Sequence, residues 1–353
     1  MENMRFHPAM NLLLVGLVLL GVYLGQNILI PLVLGMVVWY LINAIGSQFG
    51  KIQLMGKKIP NVLRISLSVL LVFSFFWFIG RMVISNLEEF KEVAPEYNRR
   101  ILDYSQALSE KLNIPTFETI SREIDLGKIA GTILNSSLGF LTTFFVVVFY
   151  VIFLMLEQQI FMTKLNLIFT DKRKKLQFFQ IIERIDTSVK SYVFVKTLIS
   201  FLVSVCAYIV LLSFGVDFAI LWAFLTFLLN YIPFVGSFIA IILPTFLSML
   251  QFGDPLISGV LFLILMGIQV LMGNFIEPKM VGKSLNLSPL VVVLALAFWG
   301  ALWGIAGMFL CVPITVALMI ILSQFQSTRS VAILLSAGND PSAYKRPKNV
   351  GSK

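Results

Sequence analysis

The sequence predicts an all-α polytopic membrane protein with about eight transmembrane segments, two of them long and broken by Gly and Pro. Three observations carry that fold class. Of the 353 residues, 58% are hydrophobic and only 13% are charged, about half of the ~25% charge that coats a soluble domain. The mean hydropathy is +0.91. The apolar residues also gather in runs long enough to cross a hydrocarbon core of ~30 Å. This balance excludes a soluble enzyme, a disordered chain and a disulfide scaffold. The net charge of +9 comes from 27 basic and 18 acidic residues. The bases sit in short loops between apolar runs, as membrane orientation requires, and so do not point to nucleic acid. Cys206 and Cys311 lie inside apolar segments and read as small hydrophobes.

The first run, 9–47, is interrupted only at Gln26-Asn27 and Asn43. As one helix it would be ~58 Å long, so it predicts two spans turning near Gln26-Asn27. A third span follows at 63–84, completing an N-terminal spanning region over 1–84. The segment 85–135 reads as an extracytoplasmic helical cap. Within it Tyr97, Ile101, Tyr104, Leu108 and Leu112 recur at helical spacing from Pro95 onward. Asn113-Ile114-Pro115 stops that helix, and a second carries Ile120, Ile124, Ile129 and Ile133. The fourth span is 138–156, within 136–156. Residues 157–196 read as cytoplasmic amphipathic helices, with Asp171 as a cap and Leu176, Phe179, Ile182, Ile185, Val189 and Tyr192 as a stripe. The spans 198–212 and 256–272 fall within a C-terminal transport region, 197–322. A cytoplasmic tail occupies 323–353.

Charge sets the orientation. Residues 85–128 carry nine acids and six bases, whereas 157–196 carry eight bases and four acids. The run Lys172-Arg173-Lys174-Lys175 lies close behind span four and marks the cytoplasmic side. Lys51, Lys57, Lys58 and Arg64 agree, as do Arg329, Lys345, Arg346, Lys348 and Lys353. Both termini are therefore expected in the cytoplasm.

Two segments, 218–250 and 289–322, are too long for one untilted crossing and too short for two. The first is broken by Asn230, Pro233, Gly236 and Pro244, the second by Gly300, Gly304, Gly307 and Pro313. Re-entrant hairpins keep Asp254 outside and Lys279 and Lys283 inside, whereas full crossings exchange those sides. The hairpin reading makes two units of opposite topology, the pattern that marks a transporter's midplane site. It places the bends at 233–236 and 303–307, meeting near the bilayer centre. Spans one to three and the cap would then be the more static part, with 191–322 carrying the solute.

Enzyme chemistry is poorly supplied. His7 is the only histidine, so no cofactor, metal or catalytic site is expected. Glu157, Asp217, Asp254 and Glu277 fall at span ends, and no charge is expected deep in a span. The informative stretches are 230–237 (Asn-Tyr-Ile-Pro-Phe-Val-Gly-Ser) and 273–283. Pro233 and Gly236 interrupt the helical ladder and free backbone groups that survive at membrane depth only beside protein or a water-filled cavity. Asn230, Ser237 and Asn274 add donors and acceptors suited to a small polar solute. Glu277, Pro278, Gly304, Gly307 and Pro313 complete the candidate translocation residues.

At these residues the chain resembles the autoinducer-2 exporter family. The resemblance is densest in N-Y-I-P-F-V-G (230–236), in G-N-F-I-E-P-K-M-V-G-K-S-L-N-L-S-P-L-V-V-V-L (273–294) and in W-G-A-L-W-G-I-A-G-M-F-L-C-V-P-I (299–314). Val195-Lys196 and Asp217 depart from the pattern, which often has Gly-Gln and Pro there. The resemblance implies a multi-pass transporter of the bacterial inner membrane, a homo-oligomer (a pentamer) with an elevator-like moving domain, exporting a furanone-type signal. Its partners would be a small polar solute and the lipid bilayer, with no nucleic acid. Other members look like cation/proton antiporters, for which Glu277 would be the exchanging carboxylate. A non-transporting assembly protein is the third reading.

Overall fold

The computed structural model describes residues 8–50, 53–54, 57–58, 60–112, 125–135, 137–168, 171–281 and 285–338. The first helix, α1 (Pro8–Leu24), is separated from α2 (Gln26–Phe49) by Gly25 alone. The predicted turn at Gln26-Asn27 is thus a one-residue interruption. The Gly25 N–H still donates to the Gly21 carbonyl and Leu29 to that of Gly25, so the helical pattern passes through the junction. A minimal antiparallel pair, Gln53–Leu54 with Lys57–Lys58, comes next in the chain.

Two helices run continuously through predicted domain boundaries. Span three and the cap's first helix are a single rod, α3 (Asn61–Leu112), which continues through Pro95. At 52 residues it is ~78 Å long. Likewise α6 (Lys172–Phe214) runs unbroken from the basic cluster through span five. Leaving the hydrocarbon changes which side chains a helix carries, but not whether its backbone stays helical. Glu, Lys, Arg and Leu are all good helix formers. Pro95 removes one ladder bond without ending the helix. The cap's second helix is α4 (Leu126–Asn135), and span four is α5 (Ser137–Ile168). Asn113, Ile114, Pro115, Ile120, Ile124, Lys51, Lys283 and the tail lysines lie outside the described residues. Asp171 caps α6 as expected, accepting from the Arg173 N–H at 2.8 Å.

The remaining helices are α7 (Ala219–Leu229), α8 (Val235–Phe252), α9 (Pro255–Val270), α10 (Glu277–Val281), α11 (Pro289–Leu322) and α12 (Arg329–Leu335). A six-residue π-helical stretch, Leu271–Ile276, joins α9 to α10. Six helical stretches among the described residues are long and apolar enough to cross a membrane: Gln26–Phe49, Val62–Gln106, Lys175–Phe214, Val235–Phe252, Pro255–Met280 and Pro289–Leu322. Thr142–Gln158 and Ala219–Leu229 are shorter apolar helices. Large apolar side chains are exposed along them, among them Leu70, Phe78, Phe149 and Leu263. That surface suits lipid and would aggregate in water. The protein is an all-α, multi-pass membrane protein.

The chain forms two compact units, 1–41 with 143–193 and 283–353, and 42–142 with 194–282. The segment 85–135 therefore shares a unit with span three and with α7 and α8. In the first unit, Gly35 lets α2 approach Tyr150 of α5, where a Cβ would come within 3.0 Å of the Tyr150 Cβ. Trp39 Nε1 donates to Gln158 Oε1 at 3.2 Å. After α12, the chain returns to bond near the start of α11, with Ser288 N–H donating to the Leu335 carbonyl and Ala337 N–H to that of Asn286.

In the second unit, Tyr97 and Ile101 of α3 pack with Leu211, Ala219, Leu247, Leu250 and Leu261 in the main core. A polar clamp lies beside them. Tyr97 Oη donates to Asp217 Oδ2. Gln251 Nε2 donates to Asp217 Oδ1 at 3.0 Å, and Arg100 Nη1 donates to the carbonyls of Leu250 and Gln251 at 2.8 and 2.7 Å. Those are the last carbonyls of α8, which a cation complements. Asp217 thus serves in the clamp that ties α3 to α8.

Candidate functional site

The first broken segment is a helical hairpin. Its limbs, α7 and α8, are 11 and 18 residues long, or ~16 and ~27 Å. They are joined by 230–234. Gly236 permits the reversal: a Cβ there would lie 1.7 Å from the Leu229 carbonyl oxygen, closer than any side chain allows. At the tip, Val235 N–H donates to the Pro233 carbonyl at 2.6 Å, around Phe234 at φ 60 and ψ −60. That is the positive-φ γ-turn, a rare and strained conformation. Pro233, lacking an N–H, leaves no donor unpaired at the bend. Asn230 is buried and its Oδ1 accepts from Ser237 Oγ at 3.3 Å.

The second broken segment, α11, is also doubled back. Gly304 sits at φ 60 and ψ −139 in its middle, a region essentially confined to glycine. Gly307 packs on Trp299, where a Cβ would lie 1.8 Å from the carbonyl oxygen. Trp299 Nε1 reaches Thr315 Oγ1 at 3.1 Å. Those residues would stand ~24 Å apart along a straight helix, so the limbs run side by side. Trp303 Nε1 donates to the Val22 carbonyl at 3.1 Å, and Pro313 is buried in the second limb.

The third stretch, 273–283, begins inside the π-helix. Gly273 and Asn274 belong to it, and Asn274, like Pro278, is exposed. The Glu277 N–H bonds back five residues to the Met272 carbonyl. The wider turn inserts an extra residue and rotates the helix beyond it, as π-bulges at functional sites do.

Its product is an ion pair that sequence reading missed. Lys196 Nζ lies 2.7 Å from Glu277 Oε1 and 2.9 Å from Oε2, and Lys196 is only 6% exposed. Lys196 stands just ahead of the apolar stretch of α6 and is buried by protein, not solvated. Glu277 is not a solvated boundary carboxylate, since its side chain is 21% exposed. The next residue, Thr197, shares a 2.6 Å hydroxyl–hydroxyl bond with Tyr231 Oη at the hairpin tip. Consecutive residues of α6 are thus gripped by the first hairpin and by the π-turned helix. Val195, Ile199 and Val203 pack beside them with Ile268, Met272 and Ile276.

The structure therefore gathers Asn230, Ser237, Tyr231, Thr197, Lys196 and Glu277 in one unit. Asn274 and Pro278 stand exposed, and Gly304, Gly307 and Pro313 belong to the other unit. The site offers hydroxyls, an amide and a neutralised charge pair in an apolar frame. Among the described residues no three His, Cys, Asp or Glu gather as a metal site.

Known proteins are similar to this chain along most of its length. The family model for the AI-2E family transporter matches residues 12–327. A candidate transport protein of Haemophilus influenzae is 33% identical, over 96% of this chain and 99% of its own length. One of Borreliella burgdorferi is 35% identical over 57% of this chain and 56% of its own. The AI-2 transport protein TqsA of Escherichia coli is 28% identical over 91% of this chain and 92% of its own.

Proposed function

We propose that this chain, which belongs to the AI-2E transporter family, exports a small polar organic solute through the region around Asn230. That it is a membrane transporter follows from the family. The solute class and the direction are our reading. The observation that carries it is the part-buried polar cluster at the tip of a broken helix, with Tyr231 bonded to Thr197 and Asn230 to Ser237. Discontinuous helices at membrane depth are where transporters place solute, and hydroxyl and amide groups match a neutral, hydroxylated molecule. An autoinducer-2-like furanone fits that chemistry, and TqsA is named for AI-2 transport. Asn230, Pro233, Gly236, Ser237, Asn274, Glu277 and Pro278 line this reading's path, with Gly304, Gly307 and Pro313 shaping the second hairpin. Bacterial inner-membrane residence, cytoplasmic termini and a pentameric assembly complete it.

Cation/proton antiport at Glu277 is the weaker reading, because Lys196 holds both carboxylate oxygens. Vesicles containing the purified protein test the proposal. Loaded with autoinducer-2 and a panel of polar metabolites, they should release a hydroxylated solute, and Asn230→Ala should slow that release. No movement of any solute overturns the export reading, and equal rates remove Asn230 from the path. Sidedness is checked by cysteine labelling in a background lacking Cys206 and Cys311. Ser258 is a poor reporter because it is buried and bonded to Ser248 at 3.0 Å. Leu256, 75% exposed, should label from outside and Met280 from inside.

A further inference from the structure

We infer that the Lys196 ammonium is a built-in counter-cation. It occupies a monovalent-cation position on Glu277, so that transport by this chain is not coupled to sodium or potassium. This deepens the transport reading and rests on it for its physiological meaning. Three observations carry it. The ammonium is bidentate, at 2.7 and 2.9 Å from the two carboxylate oxygens. It is buried, and a buried carboxylate that lost this partner would be left uncompensated until another cation took its place. The carboxylate stands at the end of the π-helical stretch Leu271–Ile276, and interrupted helical backbone is where transporters coordinate sodium.

A further oxygen lies nearby in the fold. Ser200, one turn beyond Lys196 on α6, is fully buried, and its Oγ has no hydrogen-bond partner. A buried hydroxyl without a partner is costly, which is understandable if it belongs to an oxygen set that the ammonium pre-empts. The lysine then does by covalent attachment what a diffusible cation would do by binding. Glu277 stays neutralised through every step, and no ion gradient is drawn on.

The test needs no solute, so its outcome is separable from that of the export assay. The full chain is placed in lipid nanodiscs in mildly alkaline buffer. Binding of radiolabelled sodium and the Tm are compared between sodium chloride and N-methyl-D-glucamine chloride. The wild type should bind no sodium through Glu277 and melt alike in both salts. Lys196→Met, which keeps the stem but not the charge, should melt lower in the organic salt and recover in sodium. Relief of a like-charge juxtaposition should tighten sodium binding by roughly 100-fold. Adding Glu277→Gln should abolish the sodium effect. Lys196→Gln should repeat the pattern with a polar stem. Sodium binding by the wild type that Glu277→Gln removes overturns the proposal. So does a Lys196→Met protein indifferent to sodium, or one that folds in neither salt, since a freed carboxylate that takes sodium would be rescued by it.

Discussion

The two helical hairpins reverse the chain by the same device and finish it differently. In each, a glycine lies against the carbonyl of a residue seven or eight positions earlier, Gly236 on Leu229 and Gly307 on Trp299. At the tips they diverge. The first hairpin turns through five residues and puts a phenylalanine, 61% exposed, at a strained positive φ. The second turns at a single glycine, where the same φ costs nothing. Each hairpin bonds across its own limbs, Asn230 with Ser237 and Trp299 with Thr315, and also outward, Tyr231 to Thr197 and Trp303 to the Val22 carbonyl. One bend thus carries stored strain at its tip, and the other is relaxed. Strain of this kind persists only where the surrounding structure holds it, and it clusters at functional sites.

The shared device predicts the largest effects. Gly236→Ala and Gly307→Ala each drive a methyl into a backbone carbonyl that cannot step aside. Both should lose more than the ~1–3 kcal/mol typical of overpacking, read as loss of monodisperse protein and a fall in Tm. Survival of either variant at wild-type Tm would break the likeness between the hairpins.

The tips predict effects of opposite sign. Gly304→Ala should cost about 1–3 kcal/mol from dihedral strain alone, because its Cβ would meet nothing within 4 Å. Phe234→Gly should raise stability by about 1 kcal/mol or more by releasing strain. If the strained tip serves transport, the same variant should slow solute release while its Tm rises. A lower Tm for Phe234→Gly would erase the contrast.

Smaller effects sharpen it. Tyr231→Phe and Trp299→Phe each delete one buried hydrogen bond, worth about 1 kcal/mol, and should lower the Tm alike. Only Tyr231→Phe should slow transport, measured in the same vesicles. Ser237→Ala, which removes a long bond to Asn230, should cost about 0.5–1 kcal/mol, the low end for a hydrogen bond.

These bends were legible in the sequence because Gly and Pro act locally. Pro233 with Gly236, and Gly304 with Gly307, interrupt apolar runs whose lengths match no whole number of crossings. Helix ends next to water were not legible. Between Ile84 and Pro95 the composition turns from apolar to charged, which reads as a boundary, yet α3 runs straight through because charged side chains are also good helix formers. The pairing of Lys196 with Glu277 was hidden for a different reason. The residues lie 81 positions apart, and only the extra residue of the π-turn aims the carboxylate at the lysine. A lone lysine ahead of an apolar run was the available signal, and it reads equally well as the end of a cytoplasmic helix.

The unbroken length of α3 makes it a lever. Arg64 and Arg100 stand ~54 Å apart along one rigid rod, and Arg100 grips the last carbonyls of α8. A tilt of about 5° at the Arg64 end would sweep the Arg100 end through ~5 Å, about one helical turn. Leverage of that size would reach the first hairpin through its far terminus instead of its tip. A ligand or antibody fragment that braced the Arg100 half of α3 would therefore hold the hairpin still without touching its tip.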